Sequence, residues 1–255
     1  MKKLLAAAAA GLLVFGTGIA LADSHEGDEP RWFAPVEAWT CDYRDGKGPS
    51  DLEPVIDAWN AWMDDRDQTD YFAVTMVPHY YGENTFDIGW LGSWPGGAAM
   101  GKGEDLWLRE GGEVAAGFFE IIDCDSHSNF ATAELKEPGN ESPPDNIVLA
   151  FSDCTVNEDA EWEAVWAGLE GWAAYQEEHG YGEGTWIMFP AYGGGGAEFD
   201  FKIVSGYDSH TEMGADYELY VKRADYLKYG ELVGSLVECD DARVYNGTVR
   251  RRQEQ

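Results

Sequence analysis

The chain has 255 residues, 17 basic against 48 acidic side chains, and a formal net charge of −31 at pH 7. A surface this acidic repels nucleic acid and anionic membranes, which excludes both as partners, and it either expects screening salt or divalent cations around the fold or serves solubility alone. With 44% hydrophobic and 14% aromatic residues the chain is too apolar to be disordered and has the material for a packed core.

Met1-Lys2-Lys3, an apolar run from Leu4 to Ile19, and Ala20-Leu21-Ala22 ahead of Asp23 have the form of a secretory signal peptide over residues 1–22. No later segment is long and apolar enough to span a bilayer. The mature chain is therefore expected in the periplasm or secreted, with no membrane insertion after signal cleavage. Residues 36–43 are rich in strand formers, and Ser50-Asp51-Leu52-Glu53 has the spacing of a capping box, so a helix should begin there. Leu52, Val55, Ile56, Trp59 and Trp62 recur at helical spacing as one buried stripe, and Pro54 is tolerated in the first turn. Residues 71–78 and 86–91 read as a second and third strand, 104–116 as a weaker helix, and 117–125 as a fourth strand.

Residues 136–146 hold three prolines and no apolar residue, and read as a linker between halves at 34–135 and 147–250. The second half repeats the pattern. Its helical stripe is Trp162, Val165, Trp166, Leu169 and Trp172, its strands fall at 185–190, 199–204 and 234–240, and its second helix at 216–227. The tryptophans of both stripes read as core. FDIGWLGSWPGGAAMG at 86–101 has a counterpart in FDFKIVSGYDSHTEMG at 199–214. Counted from Cys41 and Cys154 as origins, Trp59 and Trp172, Phe86 and Phe199, Met100 and Met213, and Trp107 and Tyr220 fall at equal offsets. The remaining cysteines, Cys124 and Cys239, follow their origins by 83 and 85 residues. Such order points to an internal duplication.

The sequence of elements is strand, helix, strand, strand, helix, strand, twice over, which is the split βαβ of a ferredoxin-like unit. Phe72, Val74 and Met76 on one side of the second strand and Ala73 and Val77 on the other are all apolar. One face must meet helices and the other a second sheet. The fold class expected is α+β, two tandem ferredoxin-like βαββαβ halves packing sheet to sheet. On this order, the duplication and the two-faced strands, the chain resembles the dimeric α/β-barrel superfamily over about residues 34–133 and 146–250, with both barrel halves fused. That superfamily includes cofactor-independent monooxygenases of the antibiotic-biosynthesis type, stress-responsive barrel proteins and some haem-binding enzymes. In a ferredoxin-like sheet strands one and four are neighbours, so disulfides Cys41–Cys124 and Cys154–Cys239 are expected. The competing symmetric pairing joins Cys41 to Cys154 and Cys124 to Cys239.

No metal site is expected, since the five histidines are scattered and there is no C-x-x-C or H-E-x-x-H. An EF-hand reading of DYRDGKGPSDLE fails because Tyr43 takes a ligand place. His79 could serve as a general base or haem ligand, against a turn histidine as the plainer reading. Asp87 and Asp200 recur within apolar strands, as acid–base groups or, better, as duplicated architecture. Trp94 and Tyr207 follow the third strands. His79 has Ala191 as its counterpart and Gly89 has Lys202, which should fill the equivalent space beside Asp200. The ligand-binding candidates are therefore His79, Tyr81, Asp87 and Trp94, all in the first half. No catalytic residue or cofactor is assigned. Three functions remain: a binding module for a small apolar or aromatic ligand, a cofactor-independent monooxygenase or isomerase or a haem enzyme, and a structural or surface-associated protein without ligand.

Overall fold

The computed structural model describes residues 31–253 except 84, 85, 141, 142 and 195, so the signal peptide expected at 1–22 and part of the segment 136–146 lie outside the described residues. The first half runs β1 (Ala34–Tyr43), α1 (Pro49–Asp64), β2 (Phe72–Tyr80), β3 (Ile88–Ser93), α2 (Gly97–Glu110), α3 (Gly112–Ile121) and β4 (Ile122–Lys136). The second runs β5 (Asn146–Val156), α4 (Trp162–Glu178), β6 (Gly184–Tyr192), β7 (Phe201–Tyr207), α5 (His210–Lys222), α6 (Tyr226–Leu232), β8 (Val237–Cys239) and β9 (Arg243–Arg251).

Each half forms a ferredoxin-like sheet, β4-β1-β3-β2 in one and β9-β5-β7-β6 in the other. β2 then pairs with β9 and β4 with β6, so two sheets become one closed antiparallel ring with no free edge. The duplicated pairing is in the same register: Cys41 faces Ile88 and Trp39 faces Trp90 on β1 and β3, as Cys154 faces Phe201 and Ser152 faces Ile203 on β5 and β7. Cys41 lies directly opposite Cys124 and Cys154 opposite Cys239, and both pairs are bonded, the pairing within halves. The fourth strand of the second half is broken in two, β8 and β9, where β4 is continuous.

Strand alternation sorts the side chains into three cores. Val36, Val74, Met76 and Phe130 meet Leu149, Phe151, Met188 and Val204 of the other half inside the barrel. The opposite face of the first sheet meets α1 through Leu52, Ile56, Trp59 and Trp62, and that of the second meets α4 through Val165 and Leu169. The halves are also clamped from outside, since Arg250 on β9 donates to both carboxylate oxygens of Glu53 on α1 at 2.8 Å.

Several local expectations are corrected. Helix α1 begins earlier than its Ser-x-x-Glu signature, with Gly48 as N-cap and the Asp51 carboxylate accepting from Gly48 N–H at 3.0 Å, which leaves Glu53 free for Arg250. Residues 117–121, expected as strand, close α3 instead. Each anticipated second helix is two helices, the first pair separated at Gly111, over which the Trp107 ring lies so closely that a Cβ would come 2.4 Å from it. Trp162 is exposed at the start of α4, outside the core. Asp87 and Asp200 stand just ahead of β3 and β7 rather than within them. Each is exposed and accepts a backbone N–H from the end of the half's first strand, Tyr43 at 3.0 Å and Val156 at 2.7 Å. The duplicated aspartates are thus architecture. Lys202 pairs with Asp153 and lies 3.9 Å over the Phe199 ring, not beside Asp200.

Candidate functional site

Between the first-half sheet and α1, α2 and α3 lies a cavity of about 420 Å³. Six tryptophans line it: Trp39 on β1, Trp59 and Trp62 on α1, Trp90 on β3, Trp94 just after β3, and Trp107 on α2. Phe118 of α3 and the Cys41–Cys124 disulfide close it further. The rings support one another edge to face, Trp59 on Trp90 at 4.9 Å and Trp62 on Trp107 at 5.3 Å between centroids, which fixes the walls as a rigid aromatic shell. The buried Trp62 Nε1 has no hydrogen-bond partner among the described residues.

The polar element is built around Glu37, which alternation on β1 turns outward from the barrel between the inward Val36 and Ala38. Its carboxylate accepts from Tyr71 Oη and from Trp39 Nε1 at 3.0 Å, and His127 Nε2 of β4 lies 2.7 Å from the same oxygen as the indole. Trp90 Nε1 in turn donates to Tyr71 Oη at 2.9 Å. The His127 ring stacks on Trp39 with centroids 3.5 Å apart. Tyr71 reaches Glu37 only because Gly92, which pairs with Glu37 across β1 and β3, has no side chain: a Cβ there would sit 1.8 Å from the phenol oxygen. Burial, then the charge of Glu37, holds the Tyr71 phenol well above its usual range, so it stays a proton donor. Glu104, on α2, also lines the cavity. Its carboxyl is raised, first by burial and then by the Glu37 charge, with His127 opposing.

Of the residues anticipated from sequence, only Trp94 lines this cavity; it is 7% exposed. His79 stands exposed near the end of β2 with its ring 4.5 Å from that of His210 and its Nδ1 3.3 Å from Asn246 Nδ2. Tyr81 follows β2 and is exposed, and Asp87 is the strand cap already described. The structure does not bring these three together with Trp94. Glu37, Tyr71 and Glu104 went unnoticed in the sequence. A signal was there: with the cysteines as origins, Glu37, set among the apolar Val36, Ala38 and Trp39, is matched by Ala150.

No family model and no curated protein matches the sequence. Solved structures do match in shape. A provisionally assigned chlorite dismutase superposes with a TM-score of 0.54 at 10% identity, over 86% of this chain and 95% of its own. A provisionally assigned monooxygenase from Lactobacillus acidophilus NCFM gives 0.53 at 14% identity, over 88% and 97%. A mutant chlorite dismutase from Candidatus Nitrospira defluvii gives 0.51 at 8% identity, over 84% and 91%. At these identities the likeness concerns fold alone. The chain has the dimeric α/β-barrel fold, with both halves of the barrel supplied by one polypeptide.

Proposed function

We propose that the protein is an exported binding module whose first-half cavity holds a small apolar or aromatic molecule. The observation that carries this reading is the Trp-walled cavity itself: a void of ligand size, walled by rigid rings and served by a few convergent polar groups, is the ordinary form of a small-molecule site. Two disulfides, each joining neighbouring strands, fit an oxidising compartment, in keeping with the signal-like residues 1–22. Among the described residues no helix is long and apolar enough to cross a membrane.

Haem, which some proteins of this fold hold, is a poor match for the wall. Among the described residues no histidine and no free thiol lines the cavity, its phenol Tyr71 is bound to Glu37, His127 is turned onto the same carboxylate, and the thioether of Met63 is the soft donor left in the lining. The solved neighbours named as monooxygenases and chlorite dismutases lend no residue to this chain at 8–14% identity. A cofactor-independent proton-transfer enzyme is the second reading, favoured by one feature: Glu104, a carboxyl of raised affinity for protons, at an apolar cavity beside a fixed carboxylate.

The test is mass spectrometry of small molecules carried through purification from the native host, with a titration of the neutral dye N-phenylnaphthylamine read by tryptophan fluorescence. Binding should be weakened by Trp94→Ala. Dye affinity unchanged in that variant would overturn the site, and a Soret band in the purified protein would overturn the assignment against haem.

A further inference from the structure

The charges of the cavity are one-sided. Among the described residues, Glu37 and Glu104 are the charged side chains in its lining, and no lysine or arginine joins them. Glu37 is fixed: three donors or rings converge on its carboxylate, and His127 stands behind it without reaching the lining. Glu104 has no hydrogen-bond partner among the described residues. The cleft keeps two carboxyl groups at an apolar void; His127 behind Glu37 offsets part of their repulsion, and among the described residues no cationic side chain enters the void itself. The walls around them are indole rings, whose faces carry the negative lobe of the ring quadrupole. Both features attract the same kind of guest.

We infer that the ligand is an organic cation, a quaternary ammonium or protonated amine carrying alkyl or aromatic substituents, with its charge held by Glu37 and Glu104 and its carbon surface against the tryptophans. The inference rests on the cavity being the binding site and narrows what enters it. Tryptophan is the strongest of the aromatic partners for such a cation, and desolvation inside a cleft strengthens the contact. A neutral guest would leave the repulsion between the two carboxyls in place, whereas a cation relieves it; burial first, and the Glu37 charge only second, raise the proton affinity of Glu104. The whole chain, at −31, also draws cations toward the mouth.

Choline and its neutral dimethylbutanol isostere have nearly the same shape and differ in charge. Titrated into the intact protein at constant ionic strength, with sodium chloride as the control for general cation accumulation, choline should quench tryptophan fluorescence at concentrations at least about ten-fold lower than the isostere. Glu104→Gln, on a surface helix, should weaken choline binding and leave the isostere unchanged; Glu37→Gln should do the same where it folds. Equal affinities for choline and isostere, or choline binding indifferent to Glu104→Gln, overturn the inference while the cavity reading survives on N-phenylnaphthylamine binding. Failure of choline, isostere and dye alike overturns both.

Discussion

The two halves share a frame and differ in what lies between sheet and helices. Phe72 pairs with Ser93 as Gly184 pairs with Gly206, so Tyr71 and Glu183 occupy equivalent places one residue before their strands. In the first half Tyr71 reaches across Gly92 to Glu37 and the layer above is hollow. In the second, Ala150 stands where Glu37 stood, and a polar network occupies the layer. Glu183 accepts from Gln176, its backbone carbonyl receives Lys136, and Asp216 accepts Gly182 N–H at 3.1 Å and Glu183 N–H at 3.2 Å. Tyr175 and Tyr181 donate to Asp225 at 2.7 Å. The first half keeps tryptophans around a void and the second puts tyrosines, Gln176 and carboxylates into the same layer. Strand register and disulfides are the same in both halves while this layer differs, and the proposed site lies in the half where it is hollow.

The largest effect tests the shared frame. Each disulfide closes a loop of similar length, 83 and 85 residues, so removing either with paired Cys→Ser changes should cost about 4 to 5 kcal/mol in the chain-entropy model. Chemical denaturation of the two double variants measures it. Equal losses are expected, but only loss of Cys41–Cys124, which lines the cavity, should also weaken dye binding.

Next in size is the pH dependence of the second half. Burial first, and then the neighbouring Asp216, push the Glu183 carboxyl from 4.5 up to about 9. A carboxyl raised on folding holds a proton that the unfolded chain releases, so its contribution is full below about pH 4.5 and is lost as pH rises toward 9. The melting temperature should fall across that window, and Glu183→Gln should flatten the fall. A profile unchanged by Glu183→Gln would mean that the polar layer ionises without cost and is not as dry as its packing implies.

How much of this was legible in the sequence follows from the same contrast. Cysteine spacing, the FDIGW repeat and the helical stripes reported what the halves share, because a closed barrel demands the same strand pairing twice. The fourth strand was misplaced because residues 117–121 are apolar enough for either state and α3 takes them. The cavity was not legible: Trp59 and Trp62 read as core because burial is all that helical spacing reports, and whether a buried ring fills or lines a space depends on α2 and α3 across from it. Glu37 was hidden by its neighbours, and its partner Tyr71 was counted as the start of a strand.

Gly92 is where the hollow half is most exposed to a single methyl group. Gly92→Ala would drive the Tyr71 ring off Glu37 and unmake the Trp90 bond with it, at a cost of about 1–3 kcal/mol for overpacking. Ser205 holds the same register opposite Ala150, so Ser205→Ala should cost less and leave the cavity alone. Dye titration of the two variants separates them: affinity lost in both would mean that the halves share one site.

The smallest effect sharpens the shared frame against the candidate residues read from sequence. Asp87 and Asp200 each accept one backbone N–H at the end of a first strand, at 3.0 and 2.7 Å, and each has its own N–H bonded to the carbonyl of the half's first cysteine at 3.1 and 2.9 Å. Both side chains are exposed, so water replaces much of what is lost, and Asp87→Ala and Asp200→Ala should each cost about 0.5–1.5 kcal/mol. If the two aspartates are duplicated caps, the losses match and neither variant changes dye or choline affinity. A loss of binding confined to Asp87→Ala would instead carry the site beyond the Trp-walled cavity to the rim of β3, and the symmetry drawn here between the two aspartates would fail with it.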